Sequence, residues 1–192
     1  MTSFENFNSK NTCKLFNLKD KFDLFKDLIS KDIFPKVTLL TGEKGVGKST
    51  LINHVLNFYF DQNNYNLDDN IINKESTVFK QVLNNIFPNL IYINGSDYKN
   101  VKIEDIRNLK DLLLKTPINN KKRFIIFDDV EKFNLNSMNG LLKIIEEPSK
   151  MNNFILINNK SKPLPQTIES RCSEIKIFLR DEVKRDIISS LL

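Results

Sequence analysis

The fold of this chain is decided by residues 37–50, which read VTLLTGEKGVGKST. The apolar stretch Val37–Thr41 predicts a strand, and the residues after it have the spacing G-x-x-x-x-G-K-[ST]. Glycines at this spacing allow the backbone N–H groups to curl around phosphate oxygens, ahead of a helix that begins near Lys48. Three of the five glycines of the chain lie in this motif, so the sequence predicts a phosphate-binding turn here.

The motif supplies a set of candidate cofactor-binding residues. Lys48 is expected to reach the β and γ phosphates of a nucleotide, and Ser49 is expected to ligate Mg²⁺. The alternative is a glycine-rich turn in which Lys48 is only solvated. The full candidate set is Gly42, Glu43, Lys44, Gly45, Val46, Gly47, Lys48, Ser49 and Thr50.

The rest of the chain alternates short apolar strands with helices of period 3.6. Parallel neighbours need crossover helices, so this alternation predicts a three-layer α/β domain with a five-stranded parallel sheet. The polar stretch 61–70 has no periodicity and predicts a surface loop. The other predicted strands are Leu90–Asn94, Arg123–Asp128, Asn153–Asn158 and Glu174–Phe178, and the predicted helices are Leu18–Ser30, Lys48–Phe60, one around Val78–Ile86, one holding Ile103–Leu113, Asn136–Glu146 and Leu179–Leu192.

Composition narrows the class of protein. The chain has 192 residues, of which 40% are hydrophobic and 28% charged, as expected for a globular domain with a real core. No apolar run is long enough to span a bilayer, so we expect a cytoplasmic protein. Cys13 and Cys172 are too few for a disulfide framework and are expected to be reduced thiols. The net charge of +5 is compatible with a polyanionic partner but does not require one.

Two carboxylates follow the predicted strand Arg123–Asp128. Ligands of open α/β sheets gather at the carboxyl ends of the strands, so Asp128 is a candidate for holding Mg²⁺ and Asp129 for orienting a water on the γ-phosphate. The alternative is a solvated helix cap, since Asp is common where strands end. Together with the phosphate-binding motif, the pair favours the magnesium role for Asp128.

Several later segments resemble the AAA+ module of bacterial DNA polymerase III clamp-loader subunits, most closely the delta-prime type. The similar segments are DDVEKF at 128–133, NGLLK at 139–143 with EEP at 146–148, FILINN at 154–159, and SRC at 170–172. The resemblance covers nearly the whole chain and implies a five-stranded parallel sheet of order 5-1-4-3-2. It also implies residues 1–178 as the nucleotide-binding domain and 179–192 as the first helix of a lid domain that has only begun.

The resemblance implies two further catalytic residues. Asn159, with Asn158 as the fallback, is the implied sensor of the γ-phosphate region or the attacking water; the alternative is a turn residue. Arg171 is the implied arginine finger, acting on the ATP site of an adjacent subunit; the alternative is a surface ion pair. Cys172 and His54 are expected to be structural.

The chain departs from the family pattern in three respects. The stretch that carries a zinc-binding cysteine cluster in many relatives has no cysteine here, so no zinc is expected. Asp129 stands where an active ATPase has Glu and is one methylene shorter, which predicts weak hydrolysis. The lid and collar that follow in the family are not expected within the sequence up to Leu192, and neither is the arginine sensor of the lid.

The resulting hypothesis is a clamp-loader subunit that binds ATP or ADP with Mg²⁺ and helps to load a sliding clamp onto primed DNA. Its implied partners are the other loader subunits, the clamp and primer-template DNA. The alternatives are a stator subunit of the same assembly that does not hydrolyse ATP, or an unrelated P-loop enzyme. Candidate DNA contacts, or alternatively a solvated basic face, are Arg107, Lys110, Lys121, Lys122 and Arg123.

Overall fold

The computed structural model describes residues 9–96, 106, 109–110, 112–113, 117 and 121–191, with side chains left out at 186 and 188–191. These residues form two compact units. One comprises residues up to Phe34, Gly45–Phe87 and the segment from Phe178, and the other comprises Pro35–Lys44 and Pro88–Ile177. We call them the helical unit and the sheet unit, after the elements that each contains.

The sheet unit contains a five-stranded sheet in the order β4-β5-β6-β1-β7, in which all neighbouring strands are parallel. Numbered one to five along the chain, these strands have the order 5-1-4-3-2, which confirms both the predicted strand number and the predicted order. The strands are β1 (Val37–Thr41), β4 (Leu90–Asn94), β5 (Arg123–Asp128), β6 (Asn152–Asn158) and β7 (Ser173–Lys176).

The three central strands β5, β6 and β1 are buried along their whole length. The centre of each of these strands is apolar because the strands of a parallel sheet are covered on both faces. Two helices, α4 (Leu135–Glu146) and α5 (Gln166–Glu169), belong to this unit. The core of the sheet unit includes Leu39, Ile125, Phe127, Val130, Leu141, Ile145, Phe154, Leu156 and Ile168.

The helical unit contains α1 (Lys19–Ser30), α2 (Lys48–Phe60), α3 (Thr77–Leu83) and α6 (Asp181–Leu191). The predicted bounds of α2 are confirmed, and those of α1 and α6 are confirmed to within two residues. Ten of the thirteen residues of α2 are buried, so this helix lies inside its unit. Phe22 and Phe25 of α1 are buried as well.

The prediction of a surface loop over 61–70 is wrong. This stretch begins with a 3-10 turn at Gln62–Asn64 and continues into an antiparallel hairpin of β2 (Tyr65–Asn66) and β3 (Ile71–Ile72). The hairpin forms because Tyr65 is buried and its ring stacks on Phe22 with the centroids 5.0 Å apart. One aromatic anchor gives no periodic signal, and the surrounding asparagines read as a loop.

The last two predicted elements are strand β7 and the helix over Ile103–Leu113. Strand β7 ends at Lys176 instead of Phe178, whose side chain is 69% exposed. Most of the predicted helix over Ile103–Leu113 lies outside the described residues, although Ile106 and Leu109 are helical and buried. Within the part of the chain that the structure describes, no helix is long and apolar enough to cross a membrane.

Candidate functional site

The predicted phosphate-binding turn follows β1 directly and leads into α2. Gly45 and Gly47 have φ angles of +86° and +87°, a region that side chains with a Cβ rarely adopt. A Cβ at Gly47 would also lie 3.0 Å from Cδ1 of Leu18. The turn therefore requires glycine at both positions, for backbone conformation and, at Gly47, for space.

The first turn of α2 presents the positive end of a helix. The residue before the helix is Gly47, which has no side chain to accept from the first N–H groups, and the first turn contains no acidic residue. Lys48 is the first residue of the helix and is buried, while Ser49 and Thr50 are half-buried. An anion is the natural partner of such a helix end, since its N–H groups and dipole both favour negative charge.

In the sheet unit, the carboxyl ends of β4, β5 and β6 bring several polar groups together. Asp128 ends β5 and is buried, with 8% of its surface exposed. The hydroxyl of Tyr92 on β4 donates to Oδ2 of Asp128, and the backbone N–H of Asp129 donates to Oδ1 at 2.8 Å. This buried carboxylate at a strand end has the hard oxygen atoms that Mg²⁺ prefers.

Asp129 is the centre of a hydrogen-bond network. Nδ2 of Asn159 donates to its Oδ1 at 2.6 Å. Nζ of Lys132 donates to its Oδ2 at 2.9 Å, and the hydroxyl of Ser96 donates to the same oxygen. Lys132 also donates to the hydroxyl of Ser96 at 2.6 Å. Both carboxylate oxygens of Asp129 are therefore engaged by side chains of the sheet unit itself.

These contacts determine the charge of Asp129. Burial alone raises the pKa of its carboxyl group, but the hydrogen bonds from Ser96, Lys132 and Asn159 and the charge of Lys132 outweigh burial and lower the pKa below its ordinary value. Asp129 is thus held as a carboxylate whose oxygens accept from neighbouring donors. To act as a general base, the carboxylate of Asp129 would have to contact a water molecule. Its oxygens already accept hydrogen bonds from neighbouring side chains.

Of the two candidate asparagines, Asn159 is the one at the carboxylates. Besides its contact with Asp129, its Nδ2 lies 3.5 Å from Oδ1 of Asp128. The side chain of Asn158 is buried and accepts from the backbone N–H of Lys160, while its carbonyl accepts from the N–H of Gly42. Asn158 therefore shapes the loop after β6, and the side chain of Asn159 lies beside the carboxylates of Asp128 and Asp129.

Arg171 lies near the amino ends of the strands, opposite the ends that carry Asp128, Asp129 and Asn159. It lies two residues before β7, which runs parallel to β1, so the four residues of β7 separate it from the carboxyl ends of the strands by roughly 13 Å. Its Nε donates to Oε1 of Glu146 at 3.1 Å, and its Nη1 donates to the carbonyl of Thr167 at 2.8 Å. Within this chain Arg171 therefore makes a surface ion pair, which was the alternative to the arginine-finger role. It does not contact Asp129 or Asn159.

One candidate DNA contact is wrong. Arg123 is buried, with 5% of its surface exposed, and its Nη1 donates to the carbonyl of Leu112 at 2.8 Å. Burial lowers the pKa of its guanidinium. The residue therefore supports the interior of the sheet unit. Lys110 and Lys121 are exposed, and Arg107 lies outside the described residues.

The residues expected to be structural are confirmed as such. His54 is fully buried in the helical unit between the hydroxyl of Tyr65 and the carbonyl of Thr12. The thiol of Cys172 donates to the carbonyl of Ile168 at 3.1 Å, and burial raises its pKa to about 11. A thiol with so high a pKa is protonated and unreactive at neutral pH. Cys13 is free as well.

Tyr92, Ser96, Lys132 and Glu131, which accepts from the N–H of Asn159, contact Asp128, Asp129 and Asn159 at the carboxyl ends of the strands, and we call these seven residues the strand-end cluster. The sequence interpretation missed the first four of them. Only Glu131 and Lys132 gave a signal, because they lie within three residues of Asp129 and within the segment that carries the family resemblance. Tyr92 and Ser96 are more than thirty residues away from the aspartates. They meet the aspartates because β4 pairs in parallel with β5, with Asn94 opposite Asp128.

The sheet order, the phosphate-binding turn and the solved structures that the chain resembles together define a three-layer α/β domain of the AAA+ P-loop class. A DNA polymerase III gamma subunit-related protein of Thermotoga maritima matches with a TM-score of 0.57 and 21% identity, over 89% of this chain and 50% of that one. The RuvB Holliday junction branch migration motor of the same organism matches with a TM-score of 0.52 and 18% identity, over 91% and 50%. Within this class, the chain belongs to the family described as DNA polymerase III, delta subunit, whose model matches residues 18–180.

A curated relative points to the same group of proteins. The DNA polymerase III subunit gamma of Buchnera aphidicola subsp. Acyrthosiphon pisum is 28% identical over 146 residues. The match covers 76% of this chain but 39% of the relative, so the chain spans well under half of that protein. The predicted resemblance to clamp-loader AAA+ subunits is confirmed at this level.

Proposed function

We propose that this chain is a nucleotide-binding subunit of a clamp loader, in which residues 42–50 bind the phosphates of ATP or ADP. The observation that carries the proposal is the positive N-terminus of α2, which follows two glycines with positive φ angles and has no acid in its first turn. Lys48 adds the cation that the phosphates need. Family membership argues against an unrelated P-loop enzyme.

Magnesium belongs to this proposal. Ser49 and Asp128 are the proposed ligands, since a hydroxyl and a carboxylate are the oxygen donors that Mg²⁺ takes in nucleotide sites. The metal would neutralise phosphate charge. These two side chains would hold the metal, and Tyr92 and the N–H of Asp129 orient the carboxylate of Asp128.

The role within the assembly is that of a delta-prime type subunit that hydrolyses ATP weakly or not at all. The network around Asp129 supports this proposal, because Ser96, Lys132 and Asn159 already engage the carboxylate that would have to orient a water molecule. The missing methylene of Asp relative to Glu acts in the same direction. We therefore favour the stator role over that of a subunit that turns over nucleotide.

Arg171 is proposed to act on the nucleotide of a neighbouring subunit. Its place at the amino ends of the strands, away from Asp129 and Asn159, supports an action in trans, because the residue does not face the strand-end cluster of its own sheet. Glu146 would have to share the guanidinium with the neighbouring phosphate. The other proposed partners are the sliding clamp and primer-template DNA, contacted by exposed lysines such as Lys110 and Lys121, in the cytoplasm.

The nucleotide proposal is tested by calorimetry on the complete chain. Lys48→Ala should abolish binding of Mg-ATP and Mg-ADP, because it removes the side-chain cation of the motif. The matched control is Lys31→Ala, which removes an exposed lysine and changes the net charge equally. Equal affinities of wild type and Lys48→Ala, or an equal loss in both variants, would refute the phosphate-binding role of the motif.

A further inference from the structure

Glu131 is a buried carboxylate that is not among the residues proposed to bind nucleotide or Mg²⁺. It lies in the 3-10 turn Val130–Lys132, directly after Asp129, and 4% of its surface is exposed. A buried carboxylate is costly unless donors surround it. The donors around Glu131 come from the loop that follows β6, which is the loop that carries Asn159.

Glu131 accepts hydrogen bonds from two backbone N–H groups and one hydroxyl group of that loop. The N–H of Asn159 lies 3.2 Å from both carboxylate oxygens. The N–H and the hydroxyl of Ser161 donate to Oε1 at 3.3 and 2.8 Å. The N–H between them, that of Lys160, is taken by Oδ1 of Asn158. All three successive N–H groups beyond the strand are thus satisfied by side chains, two of them by Glu131.

The loop adopts a conformation that needs such support. Lys160 has a φ angle of +57°, a left-handed conformation that is unfavourable for a residue with a side chain. The two N–H groups that Glu131 accepts flank this residue on either side. The carboxylate therefore holds the backbone on both sides of the tight bend that follows Asn159.

Glu131 and Asp129 each accept a hydrogen bond from Asn159. Glu131 accepts from its backbone N–H, and Asp129 accepts from its side-chain amide at 2.6 Å. The two acids are two residues apart, and both are buried. The orientation of the Asn159 amide relative to Asp128 is consequently fixed by the position of Glu131.

We propose that Glu131 is a positioning residue for Asn159 and that, through it, the chain distinguishes ATP from ADP. The inference rests on the proposed nucleotide site and assigns to Glu131 a part in reading the γ-phosphate. Glu131 touches the loop that carries the sensing amide and does not touch nucleotide. Its loss is expected to weaken ATP binding while ADP binding is preserved.

The experiment compares the affinities for a non-hydrolysable ATP analogue and for ADP, both with Mg²⁺, by calorimetry on the complete chain. In Glu131→Gln, an amide NH₂ replaces one acceptor and faces the N–H donors of the loop. We expect Asn159→Ala to lower the preference for the ATP analogue by about tenfold or more, since it removes a hydrogen bond to a charged phosphate. Glu131→Gln should lower the preference by about fivefold and change ADP affinity less than about twofold.

A double variant separates positioning from a general structural role. Once Asn159 is replaced by alanine, adding Glu131→Gln should change the preference no further, because the residue that it positions is gone. Glu131→Asp keeps the charge and should retain part of the preference. The control is Glu75→Gln, an exposed acid 80% accessible and paired with Lys80, which should behave as wild type.

The outcomes that overturn the inference are distinct. Full ATP preference in Glu131→Gln, an equal loss of ATP and ADP affinity, or additive effects with Asn159→Ala would each refute the positioning role. If Glu131→Gln does not fold, Ser161→Ala removes only the hydroxyl bond at 2.8 Å and should lower the preference about twofold; no change would refute the role. Failure of the wild type to bind either nucleotide refutes the proposed function itself.

Discussion

The single histidine of the chain offers a quantitative test of the helical unit. His54 is fully buried on α2; its Nε2 lies 3.0 Å from the carbonyl of Thr12 and its Nδ1 lies 2.9 Å from the hydroxyl of Tyr65. A carbonyl only accepts, so Nε2 carries the proton of a neutral ring and Nδ1 accepts from the tyrosine. Protonation would place a charge in this buried site. Burial accordingly lowers the pKa of His54 from 6.5 to about 4.

The size of the pH effect on stability follows from the difference between the pKa values of His54 in the unfolded and folded chain. As the pH falls, the unfolded chain takes up the proton first, near pH 6.5, and the folded chain only near pH 4. The stabilisation is therefore complete above pH 6.5 and is lost as the pH falls from 6.5 to 4. Each pH unit across this window corresponds to about 1.4 kcal/mol, so the full loss is about 3 kcal/mol, of which about 2 kcal/mol is lost by pH 5.

The assay is urea denaturation at several pH values from 7.5 to 5, on wild type and on His54→Gln. Glutamine can still donate to the carbonyl of Thr12 but does not titrate. The variant should be less stable at pH 7.5, yet its stability should fall with pH by about 2 kcal/mol less than that of wild type. No other histidine contributes, because the chain has one.

The reasoning is refuted by parallel pH profiles of wild type and His54→Gln. It is refuted as well if the imidazole C2 proton, followed by NMR in the folded protein, titrates between pH 6 and 7. Either result would mean that His54 is hydrated or charged in the folded state, contrary to its burial against Tyr65 and Thr12.

Three further outcomes are expected. Gly95→Ala should lower the free energy of unfolding by about 1–3 kcal/mol in urea, because its Cβ would lie 2.5 Å from the carbonyl oxygen of Asp129. Gly140→Ala should cost less, because its Cβ would lie 2.9 Å from a methyl group of Ile106 and alanine favours the helix in which residue 140 lies; the reverse order would contradict the packing. Lys132→Met should cost about 2 kcal/mol by the same assay, since the buried carboxylate of Asp129 loses its charged donor; an unchanged midpoint would argue against the network. Arg171→Ala should leave the nucleotide affinity of this chain unchanged but slow hydrolysis in the reconstituted loader by about 10³-fold or more, and the opposite pattern would assign the arginine to its own site.

The elements of this protein are largely readable from its sequence. The bounds of β1, β4, β5 and α2 were predicted to the residue, because continuous apolar runs and the phosphate-binding motif define them without reference to the rest of the fold. The strand order followed from the family resemblance and not from any local pattern. The failures lie where one long-range contact decides the structure, as with Tyr65 in the hairpin and the buried Arg123.

The sequence by itself determined the class of protein and the glycine-rich turn after β1, and it predicted Asp128, Asp129 and Asn159 as site residues. Only the tertiary structure decided how these acids are used. Ser96 and Lys132 donate hydrogen bonds to the carboxylate of Asp129, and Glu131 accepts from the backbone of the loop that carries Asn159. The physical reason is that the bonds from Ser96 to Asp129 and from Asn159 to Glu131 join residues about thirty positions apart. These residues meet because parallel strands bring their carboxyl ends together, and no periodicity along the chain encodes such a meeting.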